Sequence, residues 1–267
     1  MEMTDDHSFP KCPVSHHLQR YKCRHCSDPE SWLDSPFDRS ETGDLKALSL
    51  TSRIFVDIAQ QVMFHDVHPI GGTLPLLRTL FERPDLADLV RNFSNDRCTE
   101  SPVTINIFRT LFVPLAAQFN LHDASGLFDN WLQKIWVNVF ERELWMLEFT
   151  VALLPWVTAL FITVPARRGE TKFVLGKLFA KSVTLSSVRY LYLSHHDYRN
   201  CKLNLGCLGD LLGMMPRLER LDVNFCGGTT QFLPLYELRS LNLAQSNMTA
   251  ASLKRLVMSC PKLERFE

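Results

Sequence analysis

The sequence predicts an α/β protein: a short N-terminal helical region, then strand–helix units stacked as a solenoid on a parallel sheet. Three observations lead there. Apolar residues recur at offsets of three and four through residues 45–154, the spacing of amphipathic helices. Beyond them an L-x-x-L-x-L pattern recurs, with alternation between its apolar members. Helix-like pieces closed by proline follow two of these recurrences.

Bulk properties narrow the function. The chain has 267 residues, 46% of them hydrophobic and 22% charged, so it affords a sizeable core and disorder throughout is excluded. Formal net charge is zero and the pI is about 7.1, which leaves no electrostatic footprint for nucleic acid or an anionic membrane. Neither partner is expected. MEMTDDHSFP is not a basic stretch leading into an apolar run, so no secretory signal is expected. The eight scattered cysteines then read as reduced thiols of a cytoplasmic or nuclear protein. The apolar stretch Thr150–Ala166 approaches the roughly 20 residues of a membrane span. Pro155 and Pro165 interrupt it, and a repeat strand suits it better.

Along the chain, residues 1–43 are polar, without apolar periodicity, and read as a flexible tail. Residues 44–70 open with Asp44, a helix cap, and carry Leu45, Leu48, Leu50, Ile54 and Phe55 on a stripe shared by two short helices. Gly71-Gly72 breaks the pattern. Residues 71–150 read as a helical linker region. In it Leu76, Leu77, Leu80 and Phe81 share a side, Pro84 opens a short helix, and Asn92–Pro102 is a polar connector. Helical spacing returns at Phe108–Phe119, Leu127–Val139 and Leu144–Leu154.

Residues 151–267 carry the repeats. Leu238-x-x-Leu241-x-Leu243-x-x-Ser246-x-Met248 and Leu218-x-x-Leu221-x-Val223-x-x-Cys226 are the clearest, with Ser246 and Cys226 at matching places. Val188-x-x-Leu191-x-Leu193 has the core of the pattern, Val157-x-x-Leu160-x-Ile162 a weaker form, and Leu263-x-x-Phe266 an opening. First positions step by 31, 30, 20 and 25 residues. This is the strand signature of a leucine-rich repeat, whose units run about 20–29 residues and share a core by stacking. Parallel strands are expected near 158–162, 189–193, 219–223 and 239–243, with helical pieces at Leu205–Met215 and Ala250–Ser259. The residues alternating with the leucines, Tyr190, Tyr192, Arg220, Asp222, Ser240 and Asn242, are expected to point outward and line the inner surface of a curved ribbon.

DLKALSLTSRIFVDIAQQVMFHDV (Asp44–Val67) resembles the second half of an F-box, and LPLLRTLFERPDLADLVR resembles the segment that often follows it in F-box/leucine-rich-repeat proteins. MSCPKLERFE resembles their cysteine-containing repeat. The resemblance covers residues 44–267, about five-sixths of the chain. It implies a substrate receptor of a cullin–RING ubiquitin ligase, with no chemistry on the chain itself. The helical stripe Leu45, Leu48, Leu50, Ile54 and Phe55 would meet a Skp-family adaptor, and the repeats would hold an unknown protein substrate. The helix with which an F-box opens is not matched: SWLDSPFDRSETG stands in its place. The alternative is a repeat scaffold with no link to ubiquitin ligation.

Other chemistry is thinly represented. Cys12, His16 (or His17), Cys23 and Cys26 supply four candidate zinc ligands, yet only one C-x-x-C is present, and the expectation is no metal and no cofactor. His195-His196 reads as a polar strand end, and Gly71-Gly72 and Gly227-Gly228 as turns, since neither fits a phosphate loop. Glu141, Glu143 and Glu148 read as solvated helix faces. Trp131, Trp136, Trp145 and Trp156 do not share one helical stripe, and core packing is expected for most. No catalytic signature emerges, so a binding protein is expected rather than an enzyme.

Overall fold

The structure, a computed structural model, describes residues 53–69, 73–95, 105–119, 139–164, 183–195, 203–227 and 234–267. The chain divides into two compact units, Met1–Ala59 and Gln60–Glu267. Helix α1 (Arg53–His65) begins in the first, where Ala59 is buried and Ile58 exposed. The second unit holds the end of α1 and every later element. These are β1 (Asp66–Val67), α2 (Thr73–Glu82), α3 (Pro84–Ala87), β2 (Asn92–Asn95), α4 (Ile105–Gln118), α5 (Val139–Ala152), β3 (Ala159–Val164) and β4 (Tyr190–His195). There follow β5 (Leu203–Asn204), a 3₁₀ turn (Leu205–Leu208), α6 (Gly209–Gly213), β6 (Arg220–Val223), β7 (Cys226–Gly227), β8 (Ser240–Asn242), α7 (Ala250–Met258) and β9 (Arg265–Phe266).

Among the described residues seven strands form one open sheet in the order β1-β2-β3-β4-β6-β8-β9. Every pairing is parallel, and the order across the sheet follows the order along the chain. β5 and β7 make a separate parallel pair. The mixed α/β class and the parallel pairing of the four expected strands, now β3, β4, β6 and β8, are therefore observed.

A shared local device feeds the strands. Val188, Leu218, Leu238 and Leu263 each donate the backbone N–H to the carbonyl three residues back, at 3.1 to 3.3 Å, closing a tight turn. Pro216 and Pro261 sit second in two of these turns, where a fixed φ helps and no N–H is needed. They therefore start the next strand as well as stopping the preceding helix. The strand then alternates. Leu160 and Ile162, Leu191 and Leu193, Leu221 and Val223, and Leu241 fall on one face with at most 1% exposure. They join one cluster with Leu77 and Leu80 of α2, Phe112 and Leu115 of α4, Met146 and Leu147 of α5, Leu211 and Leu212 of α6, and Leu256 of α7. Each such side chain contributes about 1.5–3 kcal/mol by leaving water.

The helices present apolar faces to that cluster. α2 buries Leu74, Leu77 and Leu80, leaving Leu76 and Phe81 half-buried, and its outer face carries the Arg78–Glu82 pair at 2.7 Å. Pro84 opens α3 as expected. Phe112 of α4 meets Phe149 of α5 edge-on, with ring centroids 5.2 Å apart. α7 is capped by Thr249, whose hydroxyl accepts the Ser252 N–H at 3.1 Å.

Three details depart from the sequence reading. Asn92–Pro102 is not wholly a connector, because Asn92–Asn95 is a strand of the sheet, and β1 precedes it. Both are short, and Val67 and Phe93 alone supply apolar core residues, so no alternating run advertises them. Leu205–Met215 is not one helix. It breaks into the 3₁₀ turn and α6, consistent with glycines at 206, 209 and 213 in a short segment. Glu148 is not on a solvated face but is 5% exposed, since residues 146–151 of α5 are buried on every side of the helix. Trp156 lies outside the core, 55% exposed in the turn before β3, which is compatible with core packing of most, not all, of the four tryptophans. The apolar stretch from Thr150 is shared between the end of α5 and β3, and among the described residues no helix is long and apolar enough to cross a membrane.

Candidate functional site

The second face of the sheet carries the residues that alternate with the leucines. Parallel register aligns them in rows. One row runs Asn92, Ala159, Tyr190, Arg220, Ser240, Arg265. The next runs Ser94, Phe161, Tyr192, Asp222, Asn242. All six residues expected on this surface thus lie on one face, within three adjacent strands.

Asp222 is the centre of the arrangement. Its residue is 2% exposed, and Arg220 grips its carboxylate as a fork, with Nε to Oδ1 at 3.0 Å and Nη2 to Oδ2 at 2.9 Å. The Tyr190 hydroxyl donates to Oδ2 at 2.6 Å. Charge-assisted bonds of this kind are the strong ones, and a buried carboxylate requires them. The Arg220 guanidinium also lies 5.0 Å from the centre of the Tyr190 ring, and Phe161 meets that ring edge-on at 5.2 Å. Tyr192 accepts a bond from the Asn224 amide at 2.8 Å, and Thr163 and Ser194 share one at 3.0 Å.

The face is more enclosed than simple alternation implies. Tyr190 and Tyr192 are each 9% exposed, while Arg220, Ser240 and Asn242 are half-buried. The accessible part therefore lies toward β6, β8 and β9, where the Asn242 amide reaches Glu267 at 3.3 Å. Sequence reasoning missed Phe161, Thr163, Ser194 and Asn224. The period-two count, continued through the weaker Val157 repeat, along the whole of β4 and one residue past β6, finds them all.

Beside this face the two clearest repeats touch at their matching places. The Cys226 thiol donates to the Ser246 hydroxyl at 2.8 Å, and the Cys226 N–H reaches the same oxygen at 3.3 Å. Burial pushes the Cys226 thiol pKa up, against the opposing effect of the Ser246 bond. The preceding residues, Phe225 and Gln245, both take left-handed backbone conformations, with φ of 59° and 54°.

The remaining expected sites are divided. Ile54 and Phe55 belong to α1, while Leu45, Leu48 and Leu50 lie outside the described residues. So do Cys12, His16, Cys23 and Cys26, and also His17, His196, Trp131 and Trp136. Among the described residues no group of three His, Cys, Asp or Glu is placed to hold a metal. The polar network is held internally: its carboxylate is gripped by donors and the phenol of Tyr190 is committed to it. No family model matches the chain, nor does any curated protein or solved structure.

Proposed function

We propose that the chain is a protein-binding substrate receptor of a cullin–RING ubiquitin ligase. In this reading residues 151–267 are leucine-rich repeats forming a solenoid, and their polar face holds the substrate. Leu45, Leu48, Leu50, Ile54 and Phe55 meet the Skp-family adaptor. The observation that carries the reading is the strand succession: parallel strands laid down in chain order, with the apolar L-x-x-L-x-L positions of β3, β4, β6 and β8 buried apart from the half-buried Leu243. The contact between Cys226 and Ser246 at one repeat position supports it. The half-buried Arg220, Ser240 and Asn242 are the substrate-facing residues, with Tyr190 and Tyr192 beside them, and Asp222, itself held by Tyr190, fixes the Arg220 side chain.

A titration of the purified chain with the adaptor tests the ligase half. Binding in the micromolar range, about −8 kcal/mol, that Leu48→Asp abolishes is the expected result. Nanomolar binding would show that residues ahead of Asp44 supply the contacts of the unmatched opening helix. Absence of binding would leave the second reading, a repeat scaffold without ubiquitin linkage, which the unmatched SWLDSPFDRSETG stretch favours.

A further inference from the structure

The turns that lead into β3, β4 and β6 form a row along one end of the sheet: Pro155-Trp156, Ser186-Ser187 and Pro216-Arg217. The residues ahead of the strands are stitched together there. The Thr158 N–H donates to Arg91 O at 2.7 Å, and the Arg189 N–H to Thr158 O at 2.9 Å. An open cavity of about 360 Å³ lies over this row, lined by three arginines (Arg91, Arg189, Arg217), by Trp156, and by the hydroxyl residues Thr158, Ser186 and Ser187. Among the described residues no carboxylate lines it.

The cationic excess is local. Farther along the same edge the charges cancel: Lys262 pairs with Glu237 at 2.7 Å and Arg239 with Glu264 at 2.9 Å. At the cavity, Arg189 Nε has Glu219 at 3.3 Å. Arg217 acts on Glu237, but that carboxylate is already held by Lys262. Arg91 has no acidic partner among the described residues.

Two of the arginines are held by the same device. One nitrogen of Arg91, Nη1, donates to the carbonyls of Asp88 and Val90 at 2.6 and 3.2 Å. Nη1 of Arg189 does so to Ser186 and Val188 at 2.8 and 3.4 Å. Each guanidinium is thus oriented through Nη1, and Arg189 is further held by Glu219 at Nε. Arg91 and Arg189 flank Thr158 on successive strands, so their backbones lie about 10 Å apart, two strand spacings. Trp156, 55% exposed, supplies an aromatic plane beside them.

We propose that this cradle binds a phosphoserine- or phosphothreonine-bearing segment of a partner protein. The phosphate sits among Arg91, Arg189 and Arg217, and a flanking residue of the segment lies on the Trp156 ring. A phosphorylated side chain brings about two negative charges and three acceptor oxygens, which guanidinium forks match in pairs. A tryptophan beside fixed arginines is the composition of a binding hot spot. A peptide fits better than a bilayer or a nucleic acid, because the cationic excess ends within a few residues and the chain carries no net charge. The inference needs only a protein partner and stands independently of the adaptor.

The test uses the full chain and four probes: a degenerate short-peptide library centred on phosphoserine, the same library unphosphorylated, inorganic phosphate, and phosphatidylserine vesicles. Fluorescence anisotropy should show the phosphorylated library binding on the order of tenfold more tightly than its counterpart. Inorganic phosphate should compete. Arg217→Glu and Trp156→Ala should each weaken binding roughly fivefold, while Arg239→Gln leaves it unchanged. Both altered residues are exposed, so thermal melts should match the parent chain; if one does not, Arg217→Gln takes its place. Equal or no binding of the two libraries would overturn the proposal. So would full binding by Arg217→Glu, or a preference for vesicles over peptides.

Discussion

Asp222→Ala removes the acceptor at the centre of the polar face. Among the bonds that disappear with it are two from Arg220 at 3.0 and 2.9 Å and one from Tyr190 at 2.6 Å. Breaking a buried pair by deleting one partner costs about 3–5 kcal/mol, because the other charge is stranded. The Arg220 side chain is 22% exposed, so part of its hydration is recovered when it is released. The expected loss is therefore about 2–4 kcal/mol. Asp222→Asn keeps the shape and one acceptor oxygen, and should lose about 1–2 kcal/mol. Tyr190→Phe removes a single charge-assisted bond and should cost about 1.5 kcal/mol. Urea unfolding followed by circular dichroism reads these as midpoint shifts at constant slope. A double-mutant cycle between Arg220→Ala and Asp222→Ala should return a coupling above about 0.5 kcal/mol. An Asp222→Ala protein as stable as the parent, or a cycle without coupling, would refute the account of this network.

Three further outcomes follow from the same geometry. Leu221→Asp and Leu241→Asp each put an unpaired charge into the shared core and should cost several kcal/mol, on the order of other buried unpaired charges. An unchanged thermal melt would show that these leucines do not face inward. Thr249→Ala removes the cap of α7 and should destabilise by about 1 kcal/mol, read in the same urea assay. Gln245→Gly relieves a left-handed backbone at an exposed position and should stabilise by about 0.5–1 kcal/mol; a lower midpoint would mean that the side chain outweighs the backbone term.

The repeat leucines were legible because a stacked core demands apolar volume at fixed steps, and Leu218, Leu221 and Val223 could answer no other requirement as well. β1 and β2 were not legible, since a strand with one core residue has no period to detect. The strand alternation told which face Tyr190, Tyr192 and Asp222 share, but alternation carries no information about what encloses that face. Burial of Tyr190 and Asp222 was therefore missed, as was the fork from Arg220, which lies two residues from Asp222 along the same strand. Phe225 and Gln245 were equally silent: neither is the glycine or asparagine that usually marks a left-handed residue. The arginine cradle was hidden because Arg91 and Arg189 come from distant parts of the sequence.

The Thr158 hydroxyl and backbone N–H bond to Arg91 across 67 positions of sequence, while the matching Cys226 and Ser246 are only 20 apart. Closing the longer excursion costs only about 1 kcal/mol more in chain entropy, because that cost grows with the logarithm of length. The fold thus counts strands rather than residues. Extending the excursion by half again would add roughly 0.4 kcal/mol, less than a single helix cap contributes. As far as chain entropy goes, the length separating two neighbours in the sheet is therefore only weakly constrained, and the packing of α4 and α5 against the core is what fixes the content of the longer excursion.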